Sequence, residues 1–204
     1  MTSVAPPAAL DLSALAQKAQ PLSGRAWLTD FARLVQDLPT LADRATSALA
    51  VAWSARAEWR DAVPVAAALP GAHARSAEAA PQLWLHLQAQ ADVPQVCQRC
   101  LSPYPQPVEV DRWFRFVADE ATALAEDDAS EEDVLVLEPR FNLHQLLEDE
   151  LLLALPLVPM HDVCPEPVRM SAGDLDDAGA DASTAERPNP FAALAALKGQ
   201  AKST

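Results

Sequence analysis

Three stretches of this chain alternate apolar and polar residues with a period of two. That pattern constrains the fold more than any other feature, because a pleated strand turns successive side chains to opposite faces. In the first stretch Val51, Trp53, Ala55, Ala57 and Trp59 share one side, while Ser54, Arg56, Glu58 and Arg60 take the other. In the second, Leu83, Leu85, Leu87 and Ala89 alternate with Trp84, His86, Gln88 and Gln90. In the third, Val108, Val110, Phe114 and Phe116 share a side on which Arg112 is the exception, and Glu109, Asp111, Trp113 and Arg115 stand opposite. Strands that are apolar on one side only favour an antiparallel sheet with one wet face over a parallel sheet buried on both. The run "VLVL" at residues 134–137 adds a short buried strand. The predicted fold class is α+β, a mainly antiparallel sheet with a few packed helices.

Two segments carry helical periodicity. Phe31, Leu34, Val35 and Leu38 follow the polar pair Thr29 and Asp30 and precede Pro39, which predicts a capped amphipathic helix of about two turns. The stronger signal begins at Asn142, an N-cap with Gln145 three residues on, and continues through Leu143, Leu146, Leu147, Leu151, Ala154 and Leu155 until Pro156 stops it. Its polar face carries Glu148 and Asp149, which the pattern assigns to solvent.

A chain of 204 residues suffices for one core with tails. We assign residues 1–170 to a single domain interrupted by loops at 62–81, rich in Ala and Pro, and at 118–133, acidic with no Lys or Arg. Residues 171–187 read as an acidic flexible linker, and 188–204 as a short helical peptide in which Asn189 caps, Pro190 takes the first helical position and Phe191 and Leu194 form an apolar face ahead of Lys198. That peptide, through Phe191, Leu194 and Lys198, is either a docking motif for a partner or a strap on its own core.

The net charge of −14 is unevenly placed. Residues 1–117 hold ten Lys and Arg against ten Asp and Glu, and residues 118–204 hold five against nineteen, so the second part carries all of it. Nucleic-acid affinity comes largely from Lys and Arg displacing counterions, so such a chain binds RNA only where its cations are sorted onto one face. Arg99, Arg112 and Arg115, with Tyr104 and Trp113, are the best candidates for a basic-aromatic surface that stacks bases and contacts phosphates. The alternative is a sheet whose arginines pair with Glu109 and Asp111 while the rings fill core.

Cys97-x-x-Cys100 can supply two thiolates to a tetrahedral zinc ion, and His161-x-x-Cys164 offers a second pair; unmetallated, semi-buried thiols are the competing reading. Redox catalysis by the pair is disfavoured, since the prolines of "LSPYPQP" oppose the helix that lowers a thiol pKa in such sites. There is no Gly-rich phosphate loop, and the three consecutive acids Glu148, Asp149 and Glu150 point in different directions on a helix with no nucleophile beside them. His86 and His144, each alone on an amphipathic element, read as structural. No constellation predicts an enzyme or a small-molecule substrate. The N-terminal segment has neither a basic cluster nor an apolar run of signal length, and "LLLALPLVPM" is about half the length that crosses a bilayer, so a cytoplasmic location away from the membrane is expected.

Three blocks together resemble the YceD family, namely "VCQRCLSPYPQPVEVDRWFRF" at 96–116, "FNLHQLLEDELLLALPLVPMHDVC" at 141–164 and "NPFAALAALK" at 189–198, in matching order and separation. The segment "LDLSALAQKAQPLSGRAWL" is a weaker match. The resemblance implies a ribosome biogenesis factor that supports synthesis, processing or stability of large-subunit (23S) ribosomal RNA by binding, without a known enzymatic reaction. Relatives of this kind are often encoded beside a small basic ribosomal protein of the large subunit. The partners implied are large-subunit ribosomal RNA or a pre-ribosomal particle, or a basic ribosomal protein for which the chain serves as an acidic holder.

Overall fold

The period-two segments are neighbours in one five-stranded sheet whose spatial order follows the chain: β1 (Leu22–Trp27), β2 (Ala50–Arg60), β3 (Gln82–Val96), β4 (Pro103–Val117) and β5 (Asp133–Val136). The structure is a computed structural model that describes residues 4–61, 81–128 and 130–165. The chain divides into two units, Met1–Glu166 and Pro167–Thr204, and every described residue belongs to the first. The predicted connection at 62–81, apart from Pro81, the linker at 171–187 and the terminal peptide with Phe191, Leu194 and Lys198 lie outside the described residues.

Strands β1 to β4 pair antiparallel, and β5 runs parallel to β4 with Phe114 opposite Asp133 and Val117 opposite Val136. The sheet is therefore α+β and mostly antiparallel, as the one-sided alternation predicts. Its apolar face carries Val51, Trp53, Ala55, Ala57, Leu83, Leu85, Leu87, Val108, Val110, Phe114 and Phe116, all buried in one cluster. Two helices complete that core. In α1 (Leu12–Lys18) the side chain of Asp11 caps the N–H of Ala14 and buries Leu12, Leu15 and Ala16. In α3 (Leu143–Leu153) Asn142 Oδ1 accepts the N–H of Gln145 at 3.0 Å, the cap read from the sequence, and Leu143, Leu147 and Leu151 form the buried stripe. Each such leucine stabilises the fold by about 1.5–3 kcal/mol relative to an exposed one.

Gly24 on β1 has a specific task. A Cβ there would meet the carbonyl oxygen of Val4 at 2.6 Å, and it is this oxygen that accepts the indole N–H of Trp53 at 2.9 Å. The missing side chain lets the N-terminal segment lie close enough to satisfy a buried tryptophan.

Three expectations are corrected. Residues 118–133 are not simply a solvated loop, since they contain α2 (Glu120–Asp127), capped by Asp119 through the N–H and hydroxyl of Thr122. Placing β5 parallel to β4 requires a crossover of about a dozen residues or more, usually helical, and α2 is that crossover. It covers the far face of the sheet, where Ala123 packs with Val117 and Val134 in a second, smaller cluster.

The helix expected at Phe31–Leu38 does not form. Phe31 and Leu34 are buried, but the segment is a run of turns, Asp37 has a φ of 61°, and the N–H groups of Arg33 and Leu34 are taken by the Glu148 carboxylate. Two turns of helix are marginal by themselves, and the left-handed backbone at Asp37 ends the run before Leu38.

Glu148, expected in solvent, is buried beneath this segment. Glu150, on the same helix, is buried as well.

Candidate metal centre

The β3–β4 register runs unbroken from Leu83 opposite Phe116 to Val96 opposite Pro103, which carries a rigid hairpin out to a tip made of residues 97–102. The tip closes on itself. Cys97 N–H donates to the Ser102 carbonyl at 3.1 Å, Leu101 N–H donates to the Cys97 carbonyl at 2.8 Å, and Leu101 takes a left-handed φ of 59°. After α3 the chain cannot stay helical through Pro156 and Pro159, and it crosses the tip, where the Pro159 carbonyl accepts the Gln98 N–H at 2.8 Å.

This crossing brings the two predicted ligand pairs together. One ligand atom from each of Cys97, Cys100, His161 and Cys164 lies within 4.8 Å of the other three. The Cys97 and Cys164 sulfurs are 4.0 Å apart, and Cys100 Sγ is 3.4 Å from His161 Nδ1. A tetrahedral zinc with thiolate and imidazole ligands sets such separations at about 3.5–3.8 Å, so the longest separation would close by at most about 1.3 Å.

The thiols of the cluster differ in their electrostatics. Burial by itself pushes the Cys97 thiol up, but the backbone N–H groups of Cys100, His161 and Arg99 and the His161 side chain hold it down to about 5. His161 N–H reaches that sulfur at 3.4 Å. Cys164 moves the other way, raised by burial and then by the neighbouring Cys100 and Cys97. One thiolate is favoured in this cluster, and a second beside it is opposed. The four residues can hold a metal ion such as zinc. Tyr104 backs the cluster, with its ring centroid 4.4 Å from that of His161 and its hydroxyl donating to Gln106 Oε1 at 2.5 Å; burial, then the charge of Cys97, raises its pKa.

The residues read as an RNA surface are divided by the same geometry. Arg99 and Tyr104 belong to the tip, where the Arg99 guanidinium lies 4.0 Å from both Cys164 Sγ and Met160 Sδ. Arg112 sits on the side of β4 shared with Val110 and Phe114 and pairs with Asp133 Oδ2 at 2.5 Å. Arg115 and Trp113 are on the opposite side. Arg115 is buried against Glu126 and donates to Ser130 Oγ at 2.6 Å. Trp113 stacks on His86 with ring centroids 4.2 Å apart and planes 3° from parallel, and the Arg60 guanidinium lies 3.9 Å from its centroid. Its ring surface is thus engaged within the sheet. The arginines pair, but with Asp133 and Glu126 and not with Glu109 and Asp111.

Sequence reasoning missed Arg60 and Trp84 as partners in this stack and Glu148 as a backbone clamp. The strand register, with Trp84 opposite Arg115 and His86 opposite Trp113, carries the first signal once pairing is known. The two histidines expected to be structural do hold contacts, His86 with Asp111 and Trp113, and His144 with the Phe31 ring at 4.8 Å.

Among the described residues no helix is long and apolar enough to cross a membrane. No solved structure matches the chain. A curated protein of Haemophilus influenzae, named large ribosomal RNA subunit accumulation protein YceD, is 41% identical over 118 residues, which takes in 54% of this chain and 63% of that relative. The family model described as large ribosomal RNA subunit accumulation protein YceD matches residues 85–198, a span that begins on β3 and includes the hairpin tip, α3 and all four ligand residues. With the hairpin, the crossing segment and the ligand cage inside the matched span, the chain belongs to the YceD family.

Proposed function

We propose that the chain is a non-catalytic binding factor of large-subunit biogenesis that supports accumulation of 23S ribosomal RNA by holding a basic ribosomal protein, with its hairpin tip fixed by zinc. The observation that carries this reading is the state of the arginines. Arg112 and Arg115 are ion-paired and on opposite sides of the sheet, while the chain as a whole has a net charge of −14. Cations divided and neutralised in this way offer RNA phosphates little, whereas surplus carboxylates attract a cationic protein and speed its capture. The relative's name refers to large ribosomal RNA, and a holder that delivers a subunit protein supports that RNA indirectly.

The test is retention of components from dissociated large subunits on the immobilised full chain. The expected result is salt-sensitive capture of one or a few basic proteins, competed by RNA, with protein-free 23S RNA passing through. Retention of naked RNA, lost on Arg99→Glu, overturns the holder and restores direct RNA contact. Crosslinking in cells, followed by identification of bound protein and RNA, gives the same decision at native concentration.

A further inference from the structure

One edge of the sheet is open. β5 is the last strand in the sheet and pairs only with β4. The Val117 carbonyl accepts the N–H of Leu137 at 2.8 Å, and this fixes the parity of the strand. Leu135 and Leu137 turn their backbone groups toward β4, so Val134 and Val136 turn theirs away. Among the described residues no backbone partner meets those two N–H and two C=O groups. Exposed edges are commonly blunted by Lys, Pro or a bulge, and Asp133–Val136 has none of the three.

Beside this edge lies a groove of about 380 Å³. α2 walls it through Glu120 and Ala123, α3 walls it through Leu146 and Asp149, and β5 lies between them. Leu124 and Leu153, both exposed, stand four residues beyond Glu120 and Asp149 on the same helices, so each wall continues in an aliphatic side chain. Unpaired backbone flanked by apolar walls is what holds an added strand: the main chain gives affinity and the walls select alternate side chains.

The charge that remains after internal pairing selects the occupant. From residue 118 to 149 the chain carries Arg140 as its only Lys or Arg. Asp149 pairs with Arg33, Glu126 with Arg115 and Asp133 with Arg112, while Asp119 caps α2. Glu120, Asp127, Asp128, Glu131 and Glu138 are left exposed without an ion pair among the described residues, and Glu120 and Glu138 line the groove itself. Asp127 and Asp128 also stand at the C-terminal end of α2, where the helix dipole disfavours a carboxylate and no basic residue of the last turn offsets it. A second copy of the chain, paired edge to edge and antiparallel, would bring Glu131 and Asp133 of one β5 toward Glu138 of the other, like charge on like. RNA phosphates would meet the same repulsion.

We infer that the outer edge of β5, in the groove between α2 and α3, takes up an extended Lys- and Arg-bearing segment of another protein as a sixth strand, paired to the backbone of Val134 and Val136. The inference rests on the holder reading for the partner being a basic protein, and adds the place and the backbone geometry of its recognition. Four residues of edge offer few hydrogen bonds, so the aliphatic walls and the carboxylates carry the rest of the affinity.

The test titrates the full chain with a short peptide of alternating Lys and Val. Beside it stand the same peptide with every amide N-methylated, a Glu/Val counterpart and a single-stranded RNA oligonucleotide. The Lys/Val peptide should bind at least about tenfold tighter than either control peptide and slow amide exchange at Val134 and Val136. Val136→Pro removes an outward N–H and spares the ladder to β4, and should weaken binding by about tenfold or more. The paired change Glu120→Lys and Glu138→Lys should weaken it by a similar factor. Equal affinity for parent and N-methylated peptides, without new protection at Val134 and Val136, overturns strand addition and leaves the holder reading standing. That comparison leaves the protein unaltered, so it decides even where Val136→Pro fails to fold. Self-association of the chain that Val136→Pro abolishes gives the edge to a second copy and overturns the proposed occupant. Tight RNA binding with no binding of the Lys/Val peptide overturns both the inference and the holder reading.

Discussion

The Oε1 atom of Glu148 accepts the backbone N–H of Arg33 at 2.7 Å, while its Oε2 receives Arg33 Nε at 2.9 Å. The same Oε1 also accepts Leu34 N–H at 3.3 Å, so one buried carboxylate satisfies two backbone amides of the turn segment. We expect Glu148→Ala to destabilise the fold by about 2–3 kcal/mol, because it strands these donors, and Arg33→Ala by clearly less, since the half-exposed side chain is screened and its backbone bond survives. Urea unfolding of both variants checks the ranking. Burial opposes ionisation of Glu148, but the Arg33 side chain and the two backbone donors outweigh it and lower its pKa. The stabilisation is therefore complete above the ordinary glutamate range and is lost as pH falls through the folded value. The gap between wild type and Glu148→Ala should narrow in acid.

Glu150 behaves in the opposite sense. Burial raises its pKa, with Asp133 and Asp149 adding to the rise and Arg112 opposing it. Stability is then fuller below the ordinary glutamate range and declines as pH rises through the folded value. Glu150→Gln should stabilise the chain at neutral pH by about 0.5–1 kcal/mol and leave it unchanged in strong acid. A pair of thermal melts at two pH values decides this.

Arg115 is held by Glu126 and Ser130 beneath α2. Charge reversal, Arg115→Glu, places two carboxylates together in a buried site, and we expect a loss of about 3–5 kcal/mol with detachment of α2 from the sheet. Circular dichroism and a denaturant titration check it. Arg115 is consequently a poor probe of RNA contact, because loss of binding would follow loss of fold; Arg99, at the tip, is the usable one.

Protein expressed in zinc-supplemented medium should carry about one metal ion per chain, and chelation should lower Tm by several degrees, since a ligand bound only by the folded state stabilises it. Elemental analysis and melts of wild type and Cys97→Ser provide the measurement. A ratio near zero that Cys97→Ser does not change would end the metal reading.

Much of this was legible in the sequence because period-two alternation fixes which side of a strand is buried. Val51 to Ala57, Leu83 to Leu87 and Val108 to Phe116 all face the core as their spacing predicts. Asn142 and Gln145 marked the start of α3 for an equally local reason. The elements that escaped were α1, β1 and α2. In α1 the stripe Leu12, Leu15 and Ala16 is short, and in α2 only Ala123 is buried, so neither leaves a long periodic trace. The turn segment at Phe31 was misread because the carboxylate that fixes its backbone, Glu148, stands 115 residues away. At the metal centre, spacing named all four ligand candidates, whereas the division of Arg112 from Arg115 needed only strand parity, and the engagement of Trp113 needed β2 in place beside β3.

The four donor side chains arrive from two places in the chain, two on the turn after β3 and two beyond α3. In chain order the β3–β4 hairpin comes with two of these four side chains, ahead of the crossover helix, β5 and α3. Only after residue 164 has been added can the other two donors reach it. Closure of the cluster is thus possible only once nearly the entire described unit has been made, and a chain shortened before residue 161 would lack the clasp that fastens the last segment over the hairpin.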